Sequence, residues 1–382
     1  MKFAHLGDCH LGGWRQPELR ELNFKYFQTA INKIIQEKLD FLLISGDLFD
    51  SAYPPIETLK DTFKEFRKLS EAKIPVFIIA GSHDYSASGK TFLDVLEQAG
   101  FCKNVALFEN RNEKIILQPT IFKNVAIYGY PGKKSGLEVE DIEKITLNDS
   151  PGLFKILMLH TAIRGAIGNL HIKAVEESKL PKVNYLALGH LHINFQKEEK
   201  VYSGPIFPNN LSELEELQGG SFYIFYDGKI KREFIKLKEI STFCLEIKDA
   251  FSATNEILNH LEKENLKDKI VILKLKGILE NGKVSDINFF KIEQYAKNKG
   301  AYVFLKNTSN LISSEQEILI EFSDTQDLEK RIIEEFEKSH AHKLNPLIFP
   351  LFKTLQMEKK EEEKTDVFED RLISEIKKLL PL

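Results

Sequence analysis

Cysteine is scarce in this chain, and long apolar runs are missing. The 382 residues include three cysteines, which lie far apart and form no CxxC pair. Neither a disulfide framework nor a zinc site built from thiolates is therefore expected. No run of about 18 apolar residues occurs, and the first residues lack the basic and apolar segments of an export signal. We therefore expect a cytoplasmic protein without a membrane span.

An excess of positive charge is also missing. The chain carries 53 Lys and Arg against 57 Asp and Glu, a formal net charge of −4. A protein that binds nucleic acid through charge alone usually has a basic balance, so the composition argues against that class. The length is two to three times that of a typical domain of about 150 residues, which predicts a core with accessory units.

The chain divides into three predicted parts. Short β-branched and aromatic runs, separated by segments with helical periodicity, predict a layered α/β domain over residues 1–240. Residues 241–324 alternate in β-α-β-α-β order and predict a small α/β domain. Residues 325–382 are predicted to form helices on either side of a charged linker. The final helix can pack on its own domain or on a partner, and its apolar face consists of Phe368, Leu372, Ile376 and Leu379.

Polar clusters follow five of the predicted strands, and they contain five of the ten histidines. They are Asp8-x-His10, GDLFD with Asp47 and Asp50, GSHD with Ser82 and His83, the single His160, and GHLH with His190 and His192. Because strand ends gather at one rim of an α/β sheet, we expect these side chains to converge on a metal site. Imidazole and carboxylate together suit Mn, Fe or Zn. Two such dications would leave net positive charge, which favours a phosphodiester substrate.

The ordered motifs resemble those of the calcineurin-like metallophosphoesterases, which carry DxH, GDxxD, GNHD/E, a single His and GHxH. Within that family the chain is similar to the SbcD-type DNA repair nucleases, called meiotic-recombination-eleven nucleases in archaea and eukaryotes. DCHLGGWR, GDLFDSAYPP and YSGPIFPNNLSELEE carry this similarity. The resemblance implies an α/β/β/α nuclease domain, a small α/β cap domain that contacts DNA, and a helical tail that binds a partner ATPase.

The same resemblance implies two metal ions per chain, with Mn²⁺ expected in use and Mg²⁺, Fe²⁺ or Zn²⁺ as alternatives. The implied ligands are Asp8, His10 and His192 for one ion and His160 and His190 for the other, with Asp47 as the bridge.

The resemblance also implies two catalytic roles. His83 would contact the scissile phosphate and protonate the leaving oxygen. Asp50 would orient His83, with a loop-capping role as the open alternative. Ser82 stands where the wider superfamily has an Asn ligand, so it is expected to be a weaker ligand of the second metal.

The implied activities are single-strand endonuclease and 3′ to 5′ exonuclease on double-stranded ends, in double-strand break repair at the nucleoid. The implied partners are DNA ends, an SbcC-type coiled-coil ABC ATPase held by the terminal helix, and a second copy of the chain that meets helices around residues 59–66 and 93–96. Arg15, Arg20 and Lys90 are candidates for contact with the DNA backbone, although plain surface or helix-start roles stay open.

Two alternative functions remain open from the sequence. One keeps the metal chemistry and changes the substrate to a small phosphoester. The other is a weakly catalytic DNA-end clamp or scaffold for the ATPase, in which Ser82 marks an impaired metal centre.

Overall fold

The computed structural model describes residues 1–85, 91–168, 172–313, 345–355, 357 and 365–379. Its strands are β1 (Lys2–Leu6), β2 (Phe41–Ser45), β3 (Val76–Ile79), β4 (Lys103–Asn104), β5 (Phe108–Arg111), β6 (Lys114–Leu117), β7 (Thr120–Phe122), β8 (Val125–Tyr130), β9 (Ile145–Leu147), β10 (Phe154–His160), β11 (Tyr185–Gly189), β12 (Phe195–Lys197), β13 (Lys200–Tyr202), β14 (Gly220–Tyr226), β15 (Lys229–Ile235), β16 (Glu239–Glu246), β17 (Lys269–Leu279) and β18 (Val303–Ser313). Its α-helices are α1 (Pro17–Gln36), α2 (Ile56–Glu71), α3 (Phe92–Gln98), α4 (Glu138–Ile142), α5 (Leu211–Leu217), α6 (Ala250–Glu262), α7 (Phe289–Asn298), α8 (Ile348–Leu355) and α9 (Thr365–Leu379).

Contacts along the backbone divide the chain into two compact units. The first unit consists of Met1–Glu246, Ser252–Leu275 and Asn288–Thr308. The second unit consists of Ile247–Phe251, Lys276–Ile287 and the described residues of 309–382. All five polar clusters of the sequence lie in the first unit.

Two six-stranded sheets form the middle of the first unit. Sheet 1 has the strand order β15-β14-β1-β2-β3-β4, and sheet 2 has the order β12-β13-β11-β10-β8-β7. The central strands run parallel within each sheet, with Leu6 paired to Ile44 in sheet 1 and His160 paired to Gly189 in sheet 2. Strands β2 and β11 are buried at every position, as expected for parallel strands covered on both faces. The carboxyl ends of the parallel strands in each sheet meet at one edge.

The two sheets face each other across an apolar core. Phe3 stacks on Phe41 and on Phe225, with ring centroids 4.9 and 4.8 Å apart. Tyr185 of sheet 2 meets the edge of Phe3 at 5.0 Å. Such aromatic pairs contribute about 0.5–1.5 kcal/mol each beyond the burial of their area. The core therefore joins the two sheets directly.

Helices cover the outer faces of both sheets. Leu22 of α1 and Phe66 of α2 lie in the core on the outer face of sheet 1. Val139 and Ile142 of α4 lie in the core on the outer face of sheet 2. The layers run α/β/β/α, which confirms the predicted fold class.

A smaller three-stranded sheet has the order β16-β17-β18, and helices α6 and α7 lie between its strands in sequence. Ile272 and Val303 of this sheet join the core beneath α1. The Tyr302 hydroxyl donates a 2.9 Å hydrogen bond to the main-chain oxygen of Glu18. These contacts, all within the first unit, place the sheet beside the start of α1.

Helices α8 and α9 pack against each other in the second unit. The predicted apolar face of α9 is half-buried at all four positions, Phe368, Leu372, Ile376 and Leu379. The neighbouring Ile373 is 48% exposed. Neither these two helices nor any other described helix combines the length and the apolar composition that a membrane span requires.

Candidate metal centre

The loops that follow the central strands hold the polar clusters in register with one another. The Asp8 N–H donates to the Gly46 oxygen at 3.1 Å, and the His10 N–H donates to the Asp47 oxygen at 3.0 Å. These bonds continue the pairing of β1 and β2 beyond the ends of both strands. A third bond joins the two sheets, because the His190 N–H donates to Asp8 Oδ1 at 2.9 Å.

Four of the predicted ligands occupy left-handed backbone conformations. The φ angles are 50° for Asp8, 43° for His10, 50° for Asp47 and 93° for His190. Such conformations cost about 1–3 kcal/mol each for residues with a Cβ, and they persist where the surrounding structure enforces them. They turn the side chains of successive loops toward one point.

Glycines let these loops approach closely. A Cβ on Gly46, whose φ is +92°, would lie 2.3 Å from Nδ1 of His160. A Cβ on Gly81 would lie 2.2 Å from Oδ1 of Asp47. Any larger residue at either position would therefore displace a predicted ligand.

The first ligand cluster contains Asp8, His10 and His192, whose nearest ligand atoms all lie within 4.8 Å of one another. Nε2 of His10 is 3.0 Å from Nε2 of His192, so the two ring nitrogens point at the same place. The other nitrogen of His192, Nδ1, lies 2.8 Å from Glu213 Oε1. A carboxylate behind an imidazole is the usual arrangement at a metal-binding histidine.

The second ligand cluster contains Asp8, Asp47 and His160, again within 4.8 Å. Nδ1 of His160 donates to the Ser45 oxygen at 2.9 Å, which turns Nε2 toward Oδ2 of Asp47 at 3.1 Å. The same Asp47 oxygen lies 3.8 Å from Nε2 of His10. Asp47 thus belongs to the second cluster and comes near His10 of the first, whereas Asp8 is the member that both clusters share. His190 belongs to neither triplet, and its ring centroid lies 5.2 Å from that of His160.

These side chains fit a pair of divalent metal ions. Asp8 Oδ2 is buried and has no hydrogen-bond partner, although buried polar atoms are nearly always satisfied, and the buried His160 Nε2 has only the Asp47 carboxylate near it, at 3.1 Å. The pocket also attracts positive charge. Burial lowers the pKa of His160, but the charge of Asp47 and its hydrogen bond more than offset this and raise the pKa to about 10. A cation bound between Asp8 and His160 would be coordinated by both of these atoms.

His83 lies beside the clusters and has one free ring nitrogen. Its Nδ1 donates to the main-chain oxygen of Asp50 at 2.8 Å, and its side chain is 46% exposed. Because a carbonyl only accepts, Nδ1 carries the proton of this bond, and Nε2 has no hydrogen-bond partner among the described residues. The Asp50 carboxylate lies 3.7 Å from His83 Nδ1 but only 3.1 Å from Nδ1 of His10. Asp50 therefore contacts both histidines, and the closer contact is with His10.

Comparison with known proteins indicates the same protein family as the sequence motifs. The sequence matches the calcineurin-like phosphoesterase family over residues 1–194, which include the five polar clusters. A relative from Methanocaldococcus jannaschii named DNA double-strand break repair protein Mre11 is 31% identical over 72% of this chain and 82% of its own length. The chain belongs to the calcineurin-like phosphoesterases, in their Mre11 group.

Other relatives with the same name differ in how much of their length is matched. The protein from Methanococcus maripaludis is 28% identical over 70% of this chain and 76% of its own length. The protein from Methanosarcina acetivorans is 29% identical over 79% of this chain, which spans about half of that relative, 49%. Membership of the calcineurin-like phosphoesterases confirms the predicted family and the predicted hydrolase class. The fold of this family implies a dinuclear metal site.

Two further residues contact the loops or the ligands of the candidate centre, and the sequence analysis did not assign a role to either. Asp84, buried in GSHD, accepts the main-chain N–H groups of Leu48 at 3.2 Å, Phe49 at 3.0 Å and Gly81 at 3.1 Å. Burial and the charge of Asp47 raise the pKa of Asp84 to about 6. Glu213 accepts the main-chain N–H of Asn209 at 2.8 Å while it contacts His192. The only sequence signal for Glu213 is its place in the segment that carries the family resemblance.

The other predicted residues are placed as follows. The Ser82 hydroxyl donates to Asp47 Oδ2 at 3.4 Å, so Ser82 does reach the centre. Arg20 donates to the main-chain oxygens of Trp14 and Arg15, at 3.0 and 3.4 Å, and so supports the loop after the DxH motif. Arg15 is exposed on that loop. Lys90 lies outside the described residues.

Proposed function

We propose that this chain is a dinuclear-metal DNA nuclease that processes the ends of double-strand breaks. The observation that carries the proposal is the pair of ligand clusters that share Asp8, with Asp47 of the second cluster 3.8 Å from His10 of the first and His83 beside them. The names of the relatives support DNA repair as the context. We propose Mn²⁺ as the metal in use, because the donor set mixes imidazole with carboxylate.

The chain's own residues suggest a mechanism. Bound dications would lower the pKa of a water molecule and polarise the phosphodiester. Asp47 accepts the main-chain N–H of His83 at 2.7 Å, which fixes His83 relative to the bridging carboxylate. The Asp50 main-chain oxygen holds Nδ1–H of His83, so in the imidazolium form the Nε2–H can donate its proton to the leaving sugar oxygen and leave the neutral Nδ1–H ring. We assign Asp50 a second task, which is to hold the ring of His10 through Nδ1.

The finer activities and the partners are part of the proposal. We propose single-strand endonuclease and 3′ to 5′ double-strand exonuclease activity, together with an SbcC-type ATPase that binds the face of α9. We also propose a homodimer through α2 and α3. Phe66 and Leu96 on these helices are fully buried in the chain's own core, so the contact would involve exposed residues such as Ile56 and Val95.

The three predicted parts, 1–240, 241–324 and 325–382, remain our proposal for the nuclease domain, the cap domain and the partner-binding tail. The cytoplasmic, nucleoid-associated location also remains a prediction.

His83→Ala tests the proposed function most directly. We expect cleavage of a hairpin or single-stranded DNA with Mn²⁺ to fall at least 100-fold, since general acid catalysis contributes about 10²–10⁴-fold. Metal content by elemental analysis should stay at the wild-type value. The matched control is His260→Ala, because His260 is a partly exposed histidine on α6 that contacts Phe243.

Two results would contradict the proposal. One is undiminished DNA cleavage by the His83→Ala variant. The other is a wild-type protein that hydrolyses nitrophenyl phosphate esters or cyclic nucleotides but no DNA substrate, which would favour a small phosphoester.

A further inference from the structure

A cleft of about 770 Å³ opens in the first unit beside the metal centre. Three parts of the chain form its walls: the loop of residues 13–16, the loop of residues 209–211, and side chains of α7 and β18. The residues that matter for its chemistry are Trp14, Arg15, Asn209, Phe289, Phe290 and Lys306. Its volume suits a ligand of the size of a nucleotide.

The cleft adjoins the candidate metal centre through two short side-chain contacts. Asn209 Nδ2 donates to Oδ1 of Asp50 at 3.4 Å, and the same oxygen lies 3.1 Å from Nδ1 of His10. A DNA strand whose phosphate lies at the metal centre would therefore place a neighbouring nucleotide at the cleft.

Aromatic side chains line the side of the cleft that α7 and β18 provide. Phe290 is 73% exposed, so most of its ring is accessible from the cleft or solvent. Its neighbour Phe289 lies under Lys306, whose Nζ is 3.8 Å from the ring centroid. On the opposite wall, the indole of Trp14 is nearly buried and donates to the Pro208 oxygen at 2.8 Å. The cleft thus has one free aromatic platform, Phe290, with a cation nearby.

The charges at the cleft favour an anion. Within the part of the chain that the structure describes, no carboxylate lies within ion-pair distance of Arg15 or Lys306, and both line the cleft. The acidic residue of the cleft, Glu293, is paired with Lys297 at 2.7 Å. Two unpaired cations therefore remain available for phosphates.

We propose that this cleft binds one unpaired nucleotide of a DNA strand, with its base stacked on Phe290 and its phosphates beside Arg15 and Lys306. A base inside a duplex has both faces covered by its neighbours, so an internal base can stack on a protein ring only after it has left the stack. The proposal rests on the proposed nuclease function. It adds that the strand is single-stranded where it leaves the metal centre.

The test measures binding of a single-stranded oligonucleotide that contains 2-aminopurine to the full chain in EDTA, where no metal-dependent cleavage occurs. Stacking should quench the fluorescence of the base analogue. In the Phe290→Ala variant we expect affinity to fall at least about fivefold and the quenching to be lost, because stacking on one aromatic ring contributes about 1–3 kcal/mol per base. Phe290→Trp should retain both.

The matched control is Phe251→Ala, since Phe251 is 69% exposed on α6 and belongs to the second unit. Arg15→Gln and Lys306→Gln should each reduce the slope of log affinity against log salt by about 0.7. Blunt duplex DNA of the same sequence should bind the Phe290→Ala variant as tightly as the wild type.

Equal affinity and equal quenching for Phe290→Ala and Phe251→Ala would overturn the proposal. If the wild type still cleaves DNA with Mn²⁺ in that case, only the cleft assignment fails. A wild type that neither binds nor cleaves DNA would overturn the proposed function and the cleft assignment together.

Discussion

At the scale of single residues, Glu213 shows how a carboxylate outside the five polar clusters can support the candidate metal centre. It lies in the first turn of α5, where the helix dipole favours an acidic side chain. Burial raises the pKa of Glu213, but the hydrogen bond with His192 outweighs burial and leaves the pKa below its ordinary value. Glu213 therefore stays ionised at neutral pH and holds the His192 ring with Nε2 toward the site.

Glu213→Gln should weaken the metal centre without unfolding the chain. The amide keeps an oxygen for His192 but loses the negative charge, so we expect Mn²⁺ affinity to fall about 10- to 100-fold in a calorimetric titration. Glu216→Gln, at an exposed position of the same helix, is the control. If both variants bind Mn²⁺ equally well, Glu213 has no role at the centre.

Ser82 is the residue at which this chain departs from the wider superfamily. Its hydroxyl is 3.4 Å from Oδ2 of Asp47, close enough to the centre to be a ligand but on a shorter side chain than Asn.

Ser82→Asn should supply a carbonyl oxygen nearer the second metal. We expect about tenfold tighter binding of that metal, a gain of about 1.4 kcal/mol, read as metal content per chain at limiting Mn²⁺. Ser70→Asn, on the exposed face of α2, should leave metal content unchanged. A wild type that is already saturated with two metals at the same Mn²⁺ concentration would show that Ser82 does not impair the centre.

At the scale of elements, the position of each polar cluster was predictable because strands leave a clear sequence pattern. Strands β2 and β11 are unbroken apolar runs, and both are buried throughout. The left-handed turns after β1 and β2 were not predictable, since Asp8 and Asp47 are not glycines and show positive φ only because neighbouring loops hold them.

Helix α9 is the element proposed to bind the partner ATPase. Its residue Ile376 is half-buried on the predicted apolar face, whereas Ser374 is exposed. We expect Ile376→Asp to abolish co-elution with the partner ATPase in size-exclusion chromatography, because a charge would be buried in an apolar contact. Ser374→Asp should leave the complex intact. Manganese-dependent hairpin cleavage by the chain alone should be the same for both variants, and an intact complex with Ile376→Asp would exclude this face.

At the scale of the whole molecule, the buried His5 links the stability of the two-sheet core to pH. His5 lies in β1, with Nε2 at 2.8 Å from Ser45 Oγ and Nδ1 at 3.1 Å from the Tyr185 hydroxyl of sheet 2. Burial lowers the pKa of His5 to about 3. Between that value and the ordinary pKa of about 6.5, the unfolded chain binds a proton that the folded chain does not. Stability is therefore lost as the pH falls below about 6.5.

His5→Gln should remove this part of the pH dependence. Between pH 6.5 and 5 we expect the wild type to lose about 2 kcal/mol more free energy of unfolding than the variant, at about 1.4 kcal/mol per pH unit. Urea unfolding in EDTA at each pH measures the free energy of unfolding. His260→Gln is the control, and its free energy of unfolding should change with pH as that of the wild type does. Parallel pH profiles for wild type and His5→Gln would show that His5 is protonated in the folded state.

The sequence by itself determined the α/β class and the family, and it predicted most of the side chains that meet at the candidate metal centre. This was possible because apolar periodicity marks the strands, and parallel strands bring their carboxyl ends to one edge wherever they lie in the chain. Only the tertiary structure decided which atoms meet. His10 and His192 are 182 residues apart, and Glu213 reaches His192 from a separate helix. The cleft likewise joins the loop after the DxH motif to α7 and β18. Such contacts depend on the packing of whole layers, which no local pattern of residues encodes.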